Sequence, residues 1–180
     1  VNEVVQSFAQ RNLTSNYINC YWATEHGGIV WGRCHANADQ PLRPDTRSWP
    51  LPWIDGEVMV EDELGGWRRA ADGEQGEVVV RAQYPYMAHT VWQSEGFGDA
   101  AWRGDSARWA KYFVAGVGYV QGDAAVRHAG GAFSFHGRSD EVINVAGNRI
   151  GTEEIENLLL LDRESAGSPV LNCAVVGMDD

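Results

Sequence analysis

Residues 118–156 restrict the architecture more than any other part of the chain, because β patterning gives way there to a helical one. "GYVQGDAAVRHAGGAFSFHGR" reads as a hairpin with Ala129-Gly130-Gly131 at its turn. "EVINV-AGN-RI" reads as a second, smaller hairpin. A helix then starts at Thr152, a capping residue, with Glu153 and Glu154 in the first turn where the helix dipole favours negative charge. Ile155, Leu158 and Leu159 fall on one face at helical spacing, and "NCAVVGM" reads as a final strand.

Upstream, most segments are also β-prone. Residues 2–10 read as the end of an amphipathic helix, and "NYINCYWA" (16–23) as a strand running into the polar turn "TEHGG". From Arg33 to Pro52 the chain is rich in Pro, Asp, Asn and Arg and reads as a long loop. "GEVMVED" and "GEVVVRAQ" read as strands with "ADGEQ" as a turn between them, and residues 104–113 as a short helix after an Asp or Ser cap. The expected fold is α+β: a mainly β portion, then a strand-strand-helix-strand unit that opens a second module after residue 140. The final strand has nothing after it to complete a sheet, so the chain reads as a piece of a larger protein.

A composition of 44% hydrophobic residues supports a packed core. The formal net charge of −11, with no Lys/Arg run, argues against a nucleic-acid surface and against an anionic membrane surface. A small phosphorylated ligand held by one or two arginines is compatible with it. No apolar run approaches the ~20 residues that span a bilayer. The cysteines Cys20, Cys34 and Cys173 are odd in number and widely spaced, which fits reduced thiols in the cytoplasm. "RCH" at 33–35 with His26 nearby matches no zinc spacing.

Four segments carry residues able to do chemistry, and each has a plainer reading beside it. In "YWATEHGG" the aromatic pair and Thr-Glu could stack a base and hold a metal or phosphate, or be a buried pair beside a capping Thr. Asp123 in "QGD" could accept two ribose hydroxyls, or be a turn residue. Arg138 in "GRSDEV" could contact phosphate or ribose, or pair at the surface with Asp140 or Glu141. Gly147 in "AGNRIG" allows close approach of a ligand, or simply turns a hairpin.

In their order along the chain these segments resemble the acyl-adenylate-forming superfamily, and within it the acetyl-CoA and propionyl-CoA synthetases. "NCYWATEHGG" resembles the aromatic-aromatic-x-Thr-Glu motif, "YVQGD" the Tyr-x-x-Gly-Asp motif, and "GRSDEVINVAGNRIGTEEIE" the hinge motif almost throughout. "GEVVVRAQYPYMAHTVW" is similar to the connecting strand and loop of the short-chain synthetases, and the resemblance runs from about Asn19 onward. It implies that residues 1–139 are the C-terminal portion of a large adenylate-forming domain. Residues 140–180 would be the hinge and the beginning of a small C-terminal domain.

The resemblance also implies roles. Such an enzyme joins a short-chain carboxylate to ATP as an acyl-adenylate, releases pyrophosphate, and transfers the acyl group to coenzyme A, with Mg²⁺ as cofactor and AMP as product. Tyr21 matches the residue that stacks on adenine, Thr24 a residue near the phosphates and Glu25 the Mg²⁺ ligand. Asp123 matches the ribose-binding carboxylate and Arg138 the arginine at ribose and phosphate. Asp140 matches the hinge, Gly147 the glycine that lets pantetheine pass, and Arg149 an arginine of the rearranged state. Trp22 stands where long-chain relatives have glycine, which implies a pocket for only a few carbons.

There are departures. Asn19-Cys20 replaces the usual Asp-Thr, Ala23 replaces Gln, and Ala146 stands where Ser is common. They leave acetate, propionate and 3-hydroxypropionate open, the last through a weaker resemblance to the ligase segment of propionyl-CoA synthase fusions. The family's phosphate loop and adenylation lysine are expected outside residues 1–180, in the rest of the same polypeptide or a larger fusion. Transfer to a carrier-protein thiol, and a non-catalytic nucleotide-binding module, are the alternative readings.

Overall fold

A computed structural model describes residues 3–43, 47–92, 104–141, 143–145, 148–152, 155–156, 158–160, 162 and 172–177. The opening helix, α1, runs Glu3–Asn12. Strands β1 (Tyr21–Ala23), β2 (Gly28–Gly32) and β3 (Trp49–Pro50) form an antiparallel sheet in that order. The strand expected over 16–23 is therefore only three residues long. Residues 16–20 are β-prone but pair with no strand among the described residues, and a strand needs a partner more than a propensity. Strand β2 was not expected. Its "GIVWG" is a short apolar run that becomes fully buried toward its end. Strand β3 interrupts the expected loop, bonding to β2 through Trp31↔Pro50 and Gly32↔Trp49.

The larger sheet is built from β4 (Gly56–Glu61), β5 (Trp67–Arg69) and β6 (Gln75–Val80), where β5 is an addition to the two expected strands. Two short strands, β7 (Val91–Trp92) and β8 (Gly104–Asp105), pair with each other. Helix α2 (Ser106–Ala110) starts as expected at an Asp cap, the Asp105 carboxylate accepting the Arg108 amide at 2.8 Å, but it is shorter than the expected 104–113, whose first two residues are in β8. Strand β9 (Phe113–Val114) leads into the expected hairpin, β10 (Gly118–Arg127) and β11 (Phe133–Arg138). The sheet order is β11-β10-β6-β4-β5, with β9 also on β10.

The two sheets meet on Trp31, which is fully buried. Its indole makes edge contacts with Tyr21, Phe133 and Phe135, and lies over Gly56, where an added Cβ would overlap the ring. A bridge between Ser48 and Phe133 adds backbone bonds between the sheets. Val58, Val78, Val80 and Ala125 fill the space beneath.

The second hairpin forms as expected, β12 (Ile143–Val145) against β13 (Asn148–Ile150); its turn at Ala146-Gly147 lies outside the described residues. The described residues between Thr152 and Asp162 are helical. The expected final strand is not found: described residues 172–177 are in no strand. They are held instead by contacts such as the Val175 amide on Glu156 Oε1 at 2.8 Å. An apolar run becomes a strand only where a sheet edge receives it. No helix among the described residues is long and apolar enough to cross a membrane.

Candidate functional site

Asp123 is aimed by an irregularity in β10. Against β6, β10 advances from Val120 to Ala124 while its partner moves only from Val79 to Glu77. Against β11, Asp123↔Arg138 is followed by Ala125↔Phe135, a second shift of register. Extra residues in a ladder bend the strand and re-aim its side chains. Gly122 and Gly137 have φ of +86° and +83°, in the left-handed region that side-chain-bearing residues avoid, and they make the two irregularities possible.

Four expected residues converge here. The Tyr21 hydroxyl donates to Asp123 Oδ2 at 2.5 Å, across 102 positions of sequence. Arg138 Nη1 lies 3.7 Å from Asp123 Oδ1. The same guanidinium forks onto Asp140, Nε donating to Oδ1 at 2.9 Å and Nη2 to Oδ2 at 2.5 Å. Arg138 therefore makes the ion pair with Asp140 that the sequence allowed as its plainer reading, and also borders Asp123. The Asp140 bonds, with the charges of Asp123 and Glu141, hold its pKa above the ordinary guanidinium value. The next residue is tied to the sheet twice: the Ser139 amide donates to Gly122 O at 2.8 Å and its hydroxyl to Glu77 Oε2 at 2.7 Å.

Tyr21 is fixed by aromatic packing. Its ring lies parallel to Phe135, with centroids 4.2 Å apart, and edge-on to His26 and Trp31, both at 5.5 Å. Burial first, then the neighbouring Asp123 carboxylate, pushes its phenol pKa well above the ordinary value. His26 is 1% exposed, sits between Tyr21 and Tyr119, and its Nδ1 has no partner among the described residues. Burial lowers its pKa to about 4, so the ring is neutral near pH 7. Tyr119 is raised by burial and then by the charge of Glu25, with Asp123 contributing less, so both carboxylates reach one phenol.

The other expected residues are less closely gathered. Thr24 is exposed in the turn after β1, and Glu25 is half-buried, its carbonyl accepting the Ala88 amide at 2.9 Å. Trp22 is 60% exposed. Arg149 is in β13 opposite Asn144, with its side chain outside the described residues, as is all of Gly147. Among the described residues no group of three His, Cys, Asp or Glu side chains could hold a metal ion. Cys34 donates its thiol to Asn37 at 3.0 Å. Sequence reasoning missed His26 as a packing element and Phe135 as the surface beneath Tyr21. Their only signal was the apolar alternation of "AFSF" and a histidine next to a glycine turn.

The fold is also found in a CoA ligase of known structure. The chain superposes along 100% of its length on 30% of an anthranilate CoA ligase in complex with anthranoyl-AMP, with a TM-score of 0.65 at 20% identity. In sequence it is homologous to proteins named acetyl-coenzyme A synthetase. It is 36% identical over 163 residues to that of Pyrobaculum arsenaticum, 36% over 168 to that of Ralstonia nicotianae and 29% over 175 to that of Helicobacter pylori. These alignments cover 89%, 91% and 94% of this chain. The chain spans about a fifth of those relatives' own length, between 21% and 23%. No family model matches it.

The buried histidine gives a pH dependence with a definite sign. Its folded pKa, about 4, lies below its ordinary 6.5. Between those values the unfolded chain binds the extra proton, so stability is intact above pH 6.5 and is lost as pH falls toward 4. A tenfold difference in proton affinity between the folded and unfolded chains corresponds to about 1.4 kcal/mol, so roughly a few kcal/mol depend on this ring. Denaturant unfolding at pH 7 and pH 4.5 should show His26→Gln losing distinctly less stability on acidification than the wild type. Equal losses in the two proteins would mean that His26 is not the group responsible.

Proposed function

We propose that the chain is part of an AMP-forming acid–thiol ligase that activates a short-chain carboxylate and passes the acyl group to coenzyme A. The observation that carries this reading is the meeting of Tyr21, Asp123 and Arg138 at the β10 irregularity. Homology to acetyl-coenzyme A synthetases across nine-tenths of the chain supports it.

In this reading Asp123 accepts the ribose hydroxyls and Arg138 faces the α-phosphate. The substrate carboxylate attacks that phosphorus, forming an acyl–phosphate anhydride and releasing pyrophosphate. A CoA thiol then attacks the acyl carbon and AMP leaves. Arg138 can turn to a phosphate at small cost. Its pair with Asp140 is between side chains 35% and 57% exposed, and such pairs contribute about 0–1 kcal/mol. One face of the Tyr21 ring is covered by Phe135, so adenine would stack on the other. Trp22, exposed on β1, would wall an acyl pocket completed by other parts of the polypeptide, with acetate, propionate or 3-hydroxypropionate as the acid.

Glu25 is a single carboxylate. Mg²⁺ commonly takes one or two protein carboxylates with phosphate oxygens and water, so Glu25 suits an ion that arrives with the nucleotide. When bound, the ion would neutralise charge on the phosphates. Thr24, beside it in the turn, would lie near the phosphates. Residues 1–139 would belong to the large domain, with Asp140 as the hinge of the small one, and Gly147 and Arg149 would serve the thioester step.

The test uses the full-length polypeptide. Pyrophosphate exchange into ATP should depend on acetate or propionate, and acyl-CoA and AMP should form in equal amounts when CoA is added. Asp123→Ala removes hydrogen bonds to a charged acceptor, each worth about 1.5–3 kcal/mol, and should lower exchange by about 10–100-fold or more. Exchange unaffected by Asp123→Ala, or products lacking AMP, would overturn the reading.

Trp22 reports on the acid. A buried methylene contributes about 0.8 kcal/mol, so opening room for several carbons should favour longer acids by orders of magnitude. Trp22→Gly should move the preference in kcat/KM from acetate or propionate toward hexanoate and octanoate. An unchanged chain-length profile would remove the indole from the pocket.

A further inference from the structure

We infer that the Tyr21 hydroxyl is a positioning group that holds the Asp123 carboxylate ready for a ribose cis-diol, a role beyond any stacking by its ring. The inference rests on the nucleotide reading above. The phenol donates to Asp123 Oδ2 at 2.5 Å. A carboxylate offers about four lone-pair sites. The phenol uses one. Arg138, at 3.7 Å from Oδ1, is beyond ordinary hydrogen-bond reach. Sites on Asp123 therefore remain for two ribose hydroxyls while the phenol stays in place.

The phenol has reason to stay. Its ring is stacked on Phe135 and wedged against His26 and Trp31, which are 1% and 0% exposed. Moving it would disturb the contact between the two sheets. The backbone irregularity of β10 aims Asp123, but it leaves the carboxylate a choice of side-chain rotamers. The fixed partner thus orients the adjustable one. A phenylalanine at position 21 would keep the ring and its packing but leave the carboxylate free to choose other rotamers.

The experiment is calorimetric binding of AMP, 2′-deoxy-AMP and 3′-deoxy-AMP to the full-length protein and to Tyr21→Phe. AMP should bind about tenfold more weakly to the variant, while the deoxynucleotides change little, so the preference for the diol contracts about tenfold. A merely structural hydroxyl would not alter that ratio. Wild-type binding of AMP with the ratio unchanged in Tyr21→Phe would overturn the positioning role and leave the nucleotide reading standing. No binding of AMP by the wild type would overturn both. A thermodynamic cycle of Tyr21→Phe and Asp123→Asn, read from unfolding without nucleotide, should show coupling of about tenfold in the unfolding equilibrium constant. Absence of coupling would remove the hydrogen bond on which the inference stands.

Discussion

The hydrogen bond between Tyr21 and Asp123 joins two sheets that are also held by apolar packing, the backbone bridge at Ser48 and the Trp49 indole's bond to Gly130 O. One partner is at the start of β1, the other in the irregular centre of β10. Burial makes such a bond consequential, because a buried hydroxyl or carboxylate left without a partner costs more than the bond itself contributes. Trp31 and His26 set the position of the phenol. The glycines at 122 and 137 set the position of the carboxylate. The site is therefore the place where the small sheet and the large sheet are registered to each other, and its geometry is inherited from the core.

Arg138 connects this site to the segment that follows. It stands opposite Asp123 in the ladder and forks onto Asp140 two residues later, while Ser139 between them is tied to Gly122 and Glu77. A Cβ at Gly122 would sit 3.2 Å from Asp140 Oδ2 and 3.3 Å from Arg138 Nη2, so the ion pair lies directly over the glycine. The pair is exposed and weak, whereas the Ser139 bonds are half-buried. That combination gives an arginine that can exchange one anion for another without unfastening the strand. If Asp140 is a hinge, its release from Arg138 when a phosphate arrives would link nucleotide occupancy to rotation.

Much of this was legible in the sequence, and the failures have physical causes. The β10–β11 hairpin was readable because turn glycines separate two β-patterned runs, and α2 because an Asp cap precedes it. Asp123 and Arg138 could be singled out by residue type and order, but neither chain position nor propensity reveals that two register shifts turn them toward Tyr21. β2 and β5 were missed because runs of three to five residues carry too little periodicity to distinguish a strand from a loop. The segment at 172–177 was misread for the opposite reason: its composition suits a strand, but no sheet edge among the described residues receives it. Phe135 was not singled out, because its parallel stacking on Tyr21 depends on the meeting of the sheets.

The central claim is that the residues around Asp123 form the ribose and phosphate end of a nucleotide site. A crystal structure of the full-length protein with a non-hydrolysable acyl-adenylate analogue tests it most directly. Both ribose hydroxyls should lie within hydrogen-bond distance of Asp123, with the Tyr21 hydroxyl still bonded to that carboxylate and the Arg138 guanidinium turned from Asp140 toward the phosphate. An analogue bound elsewhere, with Tyr21, Asp123, Arg138 and Asp140 paired as they are without it, would contradict the claim.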